Sequence, residues 1–329
     1  MNKKKEAKFY QKEENNLIKC NLCPHNCKID NHKTGLCQVR KNINSKLYSL
    51  NYQKVSALSI DPVEKKPLYH FYPQKKVLSF GSWGCNMSCI FCQNWQISQE
   101  KPQLKNFNAE EIIEIAINRN IDLLAYTYSE PTVFYEFMLE TAQLATAKGL
   151  KNIMVSNGLI EPKPLEQLVP YLDAANIDLK AFNNDFYQEQ CNANLESVKK
   201  TIKLLVKKIH LEITTLVITD LNDNLAELEA LFSWLAEVNK QIPLHLSRYY
   251  PAYNLKKAPT AENKMKKAYQ LAKRYLDHVY LGNLNFKKTA STFCNNCGEK
   301  LIDRNKIKFE NLLKANKCPI CRTELWGEF

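Results

Sequence analysis

From residue 77 to about residue 285 the apolar positions follow two alternating rhythms. Short continuous apolar runs occupy 77–80, 121–127, 152–156, 173–179, 209–218, 242–247 and 278–283. Between them, apolar residues recur every three or four positions. Continuous runs suit parallel strands covered on both faces, and the wider spacing suits helices with one buried stripe. The chain therefore predicts a repeated strand–helix unit, closed into a barrel or spread as an open doubly wound sheet. Helix starts are signposted. Asn108, with Glu111 three residues on, predicts a capping box ahead of Ile112, Ile115 and Ala116. Pro131 fits a first helical turn before Phe134, Phe137 and Met138. Asn224 with Glu227 opens a helix carrying Leu228, Leu231, Phe232 and Leu235, and Thr260 opens one carrying Met265, Tyr269, Ala272 and Leu276.

The rhythm breaks on both sides, and cysteines take over. Residues 20 to 37 hold Cys20, Cys23, Cys27 and Cys37, followed by a connector through Asp61-Pro62-Val63-Glu64-Lys65-Lys66-Pro67-Leu68-Tyr69-His70. Beyond residue 290 stand Cys294-Asn295-Asn296-Cys297 and Cys318-Pro319-Ile320-Cys321. Three regions result: a cysteine-rich segment and connector over 1–76, a core over 77–288, and a four-cysteine domain over 289–329. With 329 residues, 45% of them hydrophobic, and only 8 glycines, the chain can bury a substantial core. No run approaches the roughly 20 apolar residues of a membrane span. No apolar segment follows the polar N-terminus, so no signal peptide is expected. A cytoplasmic setting follows, in which the 12 cysteines read as metal ligands rather than disulfides. The net charge of +12, from 46 basic and 34 acidic residues, permits attraction to acidic partners. Yet the lysines are scattered, with short clusters at Lys3 to Lys5, Lys65-Lys66 and Lys264 to Lys267. No aromatic-interleaved basic strip marks a nucleic-acid footprint. A solvated surface accounts for the charge.

The sharpest chemistry lies directly after the first strand-like run, in Gly-Cys-Asn-Met-Ser-Cys-Ile-Phe-Cys-Gln-Asn. Cys85, Cys89 and Cys92 are spaced Cys-x3-Cys-x2-Cys. A four-iron cluster takes four thiolates, one per iron. Three thiolates on one short loop hold such a cube by three corners and leave one iron open to a substrate or cofactor. The competing reading, a zinc loop, sits poorly with this spacing, because zinc favours paired Cys-x2-Cys knuckles. Cys294, Cys297, Cys318 and Cys321 supply such knuckles and predict a closed, structural zinc ribbon. The set at Cys20, Cys23, Cys27 and Cys37 fits zinc, with His25 able to replace one thiolate, or a second cluster for electron entry. Cys191 stands alone and reads as an ordinary core or surface thiol.

The loop resembles that of the radical S-adenosylmethionine (SAM) enzymes, Phe91 included. This resemblance implies a partial six-stranded (β/α) barrel. It also implies a [4Fe–4S] cluster on Cys85, Cys89 and Cys92 whose open iron binds SAM and reductively cleaves it to a 5'-deoxyadenosyl radical. In parallel folds ligands bind at the carboxyl ends of strands. Those ends carry Ser129-Glu130, Ser156-Asn157-Gly158, Asp178 and Lys180, Glu212 with Thr214 and Thr215, and His245 with Ser247 and Arg248. The last run ends at Gly282-Asn283.

Over nearly its whole length the chain resembles the radical SAM component of the AmmeMemoRadiSam system, kin to the pyruvate formate-lyase activating enzymes. Matching segments include Cys20 to Cys27, Asp61 to Phe71, Tyr128 to Pro131, Asn176 to Lys180, Pro243 to Arg248 and the C-terminal knuckles. The resemblance implies SAM contacts at Ser129, Glu130, Ser156, Asn157, Asp178, Lys180, His245 and Arg248. Tyr128 and Ser129 depart from the Gly-Gly of the activating enzymes, and Val155 replaces an acidic residue tied there to a monovalent cation. No side chain receives a catalytic role beyond the cluster. Implied partners are a flavodoxin- or ferredoxin-type electron donor and a Memo-like protein or a protein substrate. Activation of a glycyl-radical enzyme is the neighbouring alternative, and a non-catalytic metal- or nucleic-acid-binding protein the remote one.

Overall fold

The computed structural model of the chain describes residues 5–284, 287–305, 310–313 and 316–329, so Lys3 and Lys4 of the first lysine cluster lie outside the described residues. The central sheet has eight strands: β1 Ala57–Pro62, β2 Lys76–Gly81, β3 Leu123–Tyr126, β4 Lys151–Ser156, β5 Ala174–Asp178, β6 His210–Val217, β7 Leu244–Arg248 and β8 Val279–Gly282. Spatial order follows chain order. Strands β2 to β8 run parallel, and β1 lies antiparallel on β2. Among the described residues no pairing joins β1 to β8, so the sheet is open rather than a closed barrel. It holds seven parallel strands, one more than the six that the resemblance implies.

Among the described residues, seven helices of seven or more residues follow the strands: α1 Ala109–Asn118, α2 Tyr135–Ala147, α3 Pro162–Leu168, α4 Asn184–Cys191, α5 Leu195–Leu205, α6 Leu225–Asn239 and α7 Glu262–Ala272. The Asn108 capping box forms, with Oδ1 accepting from Glu111 N and Glu111 Oε2 accepting from Asn108 N, both at 2.8 Å. Asn224 Oδ1 caps α6 at 2.8 and 3.3 Å, while the Glu227 carboxylate instead accepts from Phe182 N at 3.1 Å. Pro131–Phe134 form a 3-10 turn leading into α2. Thr260 does not cap α7. Ala261 holds that position, and Thr260 Oγ1 donates to Val217 O at 2.5 Å.

Strands that pair in chain order through right-handed crossovers place their helices on one face of the sheet. Something else must cover the other face, and the connector does. Val63, Leu68 and Phe71 pack on Val77, Leu123, Ala125, Ile153 and Ala174. Asn176 Nδ2 donates to Pro67 O at 2.8 Å, and Glu212 accepts from Tyr69 N at 3.0 Å and His70 N at 2.7 Å. Tyr69 meets the His245 ring edge-on at 4.7 Å, and the Tyr280 hydroxyl bonds His70 Nε2 at 2.6 Å. One short segment thus touches β2 through β8, which spacings of about 4.8 Å per strand allow only if the sheet curls around it.

Both flanking regions brace this core. Two small sheets, Lys5–Glu6/Lys46–Ser49/Arg40–Ile43 and Tyr10–Lys12/Ile18–Cys20/Lys28–Ile29, carry the N-terminal cysteines. They dock on α2 through the Arg40–Glu136 pair at 3.0 Å, both side chains almost fully buried. At the other end, Glu328 N donates to His70 O at 2.8 Å and Tyr72 N to Glu328 O at 2.6 Å. The Arg304 guanidinium lies 4.3 Å over the Tyr69 ring and donates to Tyr69 O.

Candidate functional site

The loop after β2 is fixed by main-chain bonds at several points. Gly84 N donates to Ile97 O at 2.9 Å, Ser88 N to Cys191 O at 3.0 Å, and Ile90 N to Gln190 O at 3.1 Å. Gly84 is required by close approach as well as by its left-handed φ of +88°, since a Cβ there would lie 2.7 Å from Cys37 O. The thiols of Cys85, Cys89 and Cys92 point into one buried neighbourhood but do not collapse together: no three sulfurs among them lie within 4.8 Å of one another. Burial pushes the Cys85 and Cys92 thiols up, with the Glu130 carboxylate adding to the effect at Cys85. The Cys191 thiol hydrogen-bonds Cys89 and draws it down. Buried thiols held apart fit a group that binds them as thiolates and fills the space between them.

The neighbouring strand ends converge here. After β3, Tyr128 adopts a left-handed φ of 69°, and Asn94 Nδ2 donates to its carbonyl at 2.8 Å, tying the cluster loop to the β3 end. Glu130 is buried, which raises its carboxyl, and it accepts from Thr132 N at 2.9 Å, Ser156 Oγ at 2.7 Å and Asn157 N at 2.9 Å. Asn157 Nδ2 in turn reaches Asn86 Oδ1 at 2.9 Å and Cys85 Sγ at 3.6 Å. After β5, Lys180 Nζ pairs with Asp178 Oδ2 at 2.9 Å. Burial alone would lower that amine, but the Asp178 carboxylate beside it holds it well above the ordinary lysine value. Ser129 Oγ is buried without a hydrogen-bond partner. Buried orphan hydroxyls are rare and suit a bound polar ligand. Ser129, Glu130, Ser156, Asn157, Asp178 and Lys180 thus gather around the cysteine loop. They supply carboxylate, ammonium, amide and hydroxyl groups, the chemistry that an amino-acid nucleoside calls for.

His245 and Arg248 have other partners. His245 Nε2 donates to Glu212 Oε2 at 2.6 Å beneath the connector, and His210 Nε2 lies 3.0 Å from Oε1. Burial alone would raise the Glu212 carboxyl; His210 and His245 hold it well below the carboxylate range. Glu212 is therefore part of the base of the fold. Arg248 Nε donates to Thr260 O at 2.7 Å and its guanidinium covers Tyr250 at 5.1 Å. Thr214 Oγ1 donates to Asn176 Oδ1 at 2.9 Å and Thr215 Oγ1 to Leu179 O at 2.8 Å, so both hydroxyls are spent on neighbouring strands. Cys191, read from sequence as an isolated thiol, belongs to the cysteine neighbourhood. The one available signal was its place at the C-terminal end of α4, which gives no hint of what that end packs against.

Two further cysteine sets differ in geometry. Cys294, Cys297, Cys318 and Cys321 bring all four sulfurs within 4.8 Å of one another, with Cys294–Cys321 at 3.5 Å and Cys297–Cys318 at 3.7 Å. A tetrahedron with zinc–sulfur bonds of about 2.3 Å has edges of about 3.8 Å, so these thiols match a single ion. Cys20, Cys23, Cys27 and Cys37 instead line a common void together with Leu22, His25 and Arg40. His25 Nε2 donates to Asn86 O at 2.6 Å.

Residues 82–235 match the Radical SAM superfamily. An uncharacterized protein of Methanocaldococcus jannaschii is 42% identical over 327 residues, covering 96% of this chain and 97% of its own length. A second protein from that organism, provisionally named a glycyl-radical enzyme activating enzyme, is 28% identical over 229 residues, 65% of this chain and 92% of its own. Among solved structures, Streptococcus suis SuiB bound to precursor peptide SuiA superimposes with a TM-score of 0.51 at 14% identity, over 68% of this chain and 52% of that one. That last likeness is one of fold.

Proposed function

We propose, from the match of residues 82–235 to the Radical SAM superfamily, that the chain cleaves SAM reductively at a cluster held by Cys85, Cys89 and Cys92, and that the resulting radical abstracts hydrogen from a substrate. The observation that carries this reading is the three-thiol loop, one ligand short of a cube, enclosed by the polar ends of β3, β4 and β5. When bound, the cluster supplies the electron that breaks a carbon–sulfur bond of SAM. The chain's own residues bind and orient. Asp178 and Lys180 offer opposite charges to the methionine part of SAM, Ser129 offers an unpartnered hydroxyl, and Glu130, bonded to Ser156, sets the turn that aims Asn157 at Cys85. His245 and Arg248 remain candidates only if they exchange their present partners for the ligand. Burial of the loop excludes water and oxygen from a reactive intermediate.

The same reading retains a structural zinc at the four C-terminal cysteines, the three-region division at 76/77 and 288/289, a cytoplasmic setting, and a flavodoxin- or ferredoxin-type reductant. Among the described residues no helix is long and apolar enough to cross a membrane. For the substrate, the whole-chain resemblance favours an AmmeMemoRadiSam role with a Memo-like partner. Activation of a glycyl-radical enzyme is the second reading, and the provisional name of the 28% identical relative favours it. Anaerobic reconstitution with iron and sulfide, reduction, and addition of SAM should yield 5'-deoxyadenosine, and Cys89→Ala should abolish it. Absence of product from the parent, or equal product from Cys89→Ala, defeats the proposal. A glycyl-radical signal on a co-incubated glycyl-radical enzyme would decide for the second reading.

A further inference from the structure

The two complete four-cysteine sets of this chain are built to different sizes. At the C-terminus the sulfurs are drawn to distances that one zinc ion spans. At the N-terminus no three of Cys20, Cys23, Cys27 and Cys37 lie within 4.8 Å of one another, nor does His25 complete such a group. The four still converge, because all line one enclosed void with Leu22, Ile29, Leu36 and Val133. Zinc–sulfur bonds of about 2.3 Å leave no void at the centre of a tetrahedron. A four-iron, four-sulfide cube does hold its thiolates that far apart, and the loop at Cys85, Cys89 and Cys92 keeps its sulfurs apart in the same way.

The surroundings suit a cluster. Arg40, 1% exposed, lines the void, and its Nε–H is buried with no partner. One face of its guanidinium is spent on Glu136, which leaves Nε as a donor for sulfide or thiolate. Thr132 also lines the void, and its Oγ1 is likewise orphaned. The position is equally specific. Asn86, next to Cys85, forms part of the wall, and its carbonyl accepts from His25. Cys37 O abuts Gly84 on the other side of Cys85.

We infer that Cys20, Cys23, Cys27 and Cys37 hold a second, fully ligated [4Fe–4S] cluster that passes electrons to the loop at Cys85. One electron leaves a flavodoxin- or ferredoxin-type donor and arrives at the loop cluster by way of this site, with no bond made or broken on the way. The recipient rests on the function proposed above; the metal content does not.

The test uses the full chain, reconstituted anaerobically with iron, sulfide and zinc all offered, with metal analysis and electron paramagnetic resonance as readouts. Cys85→Ala/Cys89→Ala/Cys92→Ala should keep about half of the parent's iron and a reducible cluster signal. Cys23→Ser/Cys27→Ser should lose the complementary half. The second variant should also lose at least tenfold in SAM cleavage driven by a reduced flavodoxin-type protein, while dithionite-driven cleavage stays within about twofold. If the loop variant holds no iron, and zinc fills both four-cysteine sets, the cluster is refuted. Equal loss with both reductants refutes the relay. If the parent makes no 5'-deoxyadenosine yet the loop variant still holds a cluster, the N-terminal site stands and the proposed function falls.

Discussion

Gly158 turns the chain out of β4 with a φ of +74°, and a Cβ there would lie 2.9 Å from Ile177 Cγ2. Gly158→Ala therefore combines left-handed strain with overpacking and should cost about 1–3 kcal/mol. It would be read as a lower urea midpoint at unchanged slope. The neighbouring Asn157 would shift with it, so weaker SAM binding should accompany the loss. Cys191 offers a cleaner probe. Its thiol donates toward Cys89, and a donor at a cluster thiolate raises the reduction potential. Cys191→Ala should retain iron while the potential of the loop cluster moves in the negative direction; an unchanged potential with full iron would show that the contact is not made in the loaded protein. The contrast between these cysteines explains what a sequence conveys at this scale. Cys85, Cys89 and Cys92 announce themselves because their partnership is written in local spacing. Cys191 joins them only because Ser88 and Ile90 main-chain amides bond to residues 191 and 190. No spacing rule reaches across that separation.

Among elements, local signals translate well where the interaction is itself local. Asn108 bonds only within its own helix start, and Asn108→Ala should destabilise the chain by about 1 kcal/mol, measurable as a shifted denaturation midpoint. Thr260 shows the converse, since its hydroxyl is claimed by Val217 of β6 rather than by α7. The connector at 63–72 is the element hardest to foresee. Its side chains read as a polar-to-apolar mixture suited to a loop, yet it fills the inner face of the sheet. Glu212 and His245 were expected with the ligand-facing groups because both lie on strands beside polar neighbours. The connector supplies the amides that satisfy Glu212, and so recruits both residues to the base. Tyr280→Phe would strip His70 Nε2 of its donor and should cost about 1–3 kcal/mol, with the cluster spectrum unchanged because the contact is remote from the cysteine loop.

For the molecule as a whole, this buried base predicts acid sensitivity. The His70 and His278 rings meet edge-on at 4.5 Å, and burial lowers both, His70 well below the ordinary value and His278 to about 4. Unfolded histidines titrate near 6.5, so between that pH and the folded values the unfolded chain binds more protons. Stability is then full above about pH 6.5 and falls as pH drops, by about 1.4 kcal/mol per pH unit for each histidine. Glu212, held low in the fold, adds a loss of the same sign further into acid. The thermal midpoint should decline from pH 7.5 to 5, with a shallower slope for His278→Asn; a flat profile would contradict the buried, neutral histidines. Sequence by itself determined the strand–helix alternation, the capped helix starts and the three groups of cysteines, because each is set by interactions within a few residues. Tertiary structure alone decided that the sheet stays open with seven parallel strands around the connector. It also decided that Cys191 enters the site while Glu212 serves the base, and that the C-terminal four sulfurs gather within 4.8 Å while the N-terminal four line a void. Those outcomes depend on distances between segments remote in the chain, which packing sets and local spacing cannot encode.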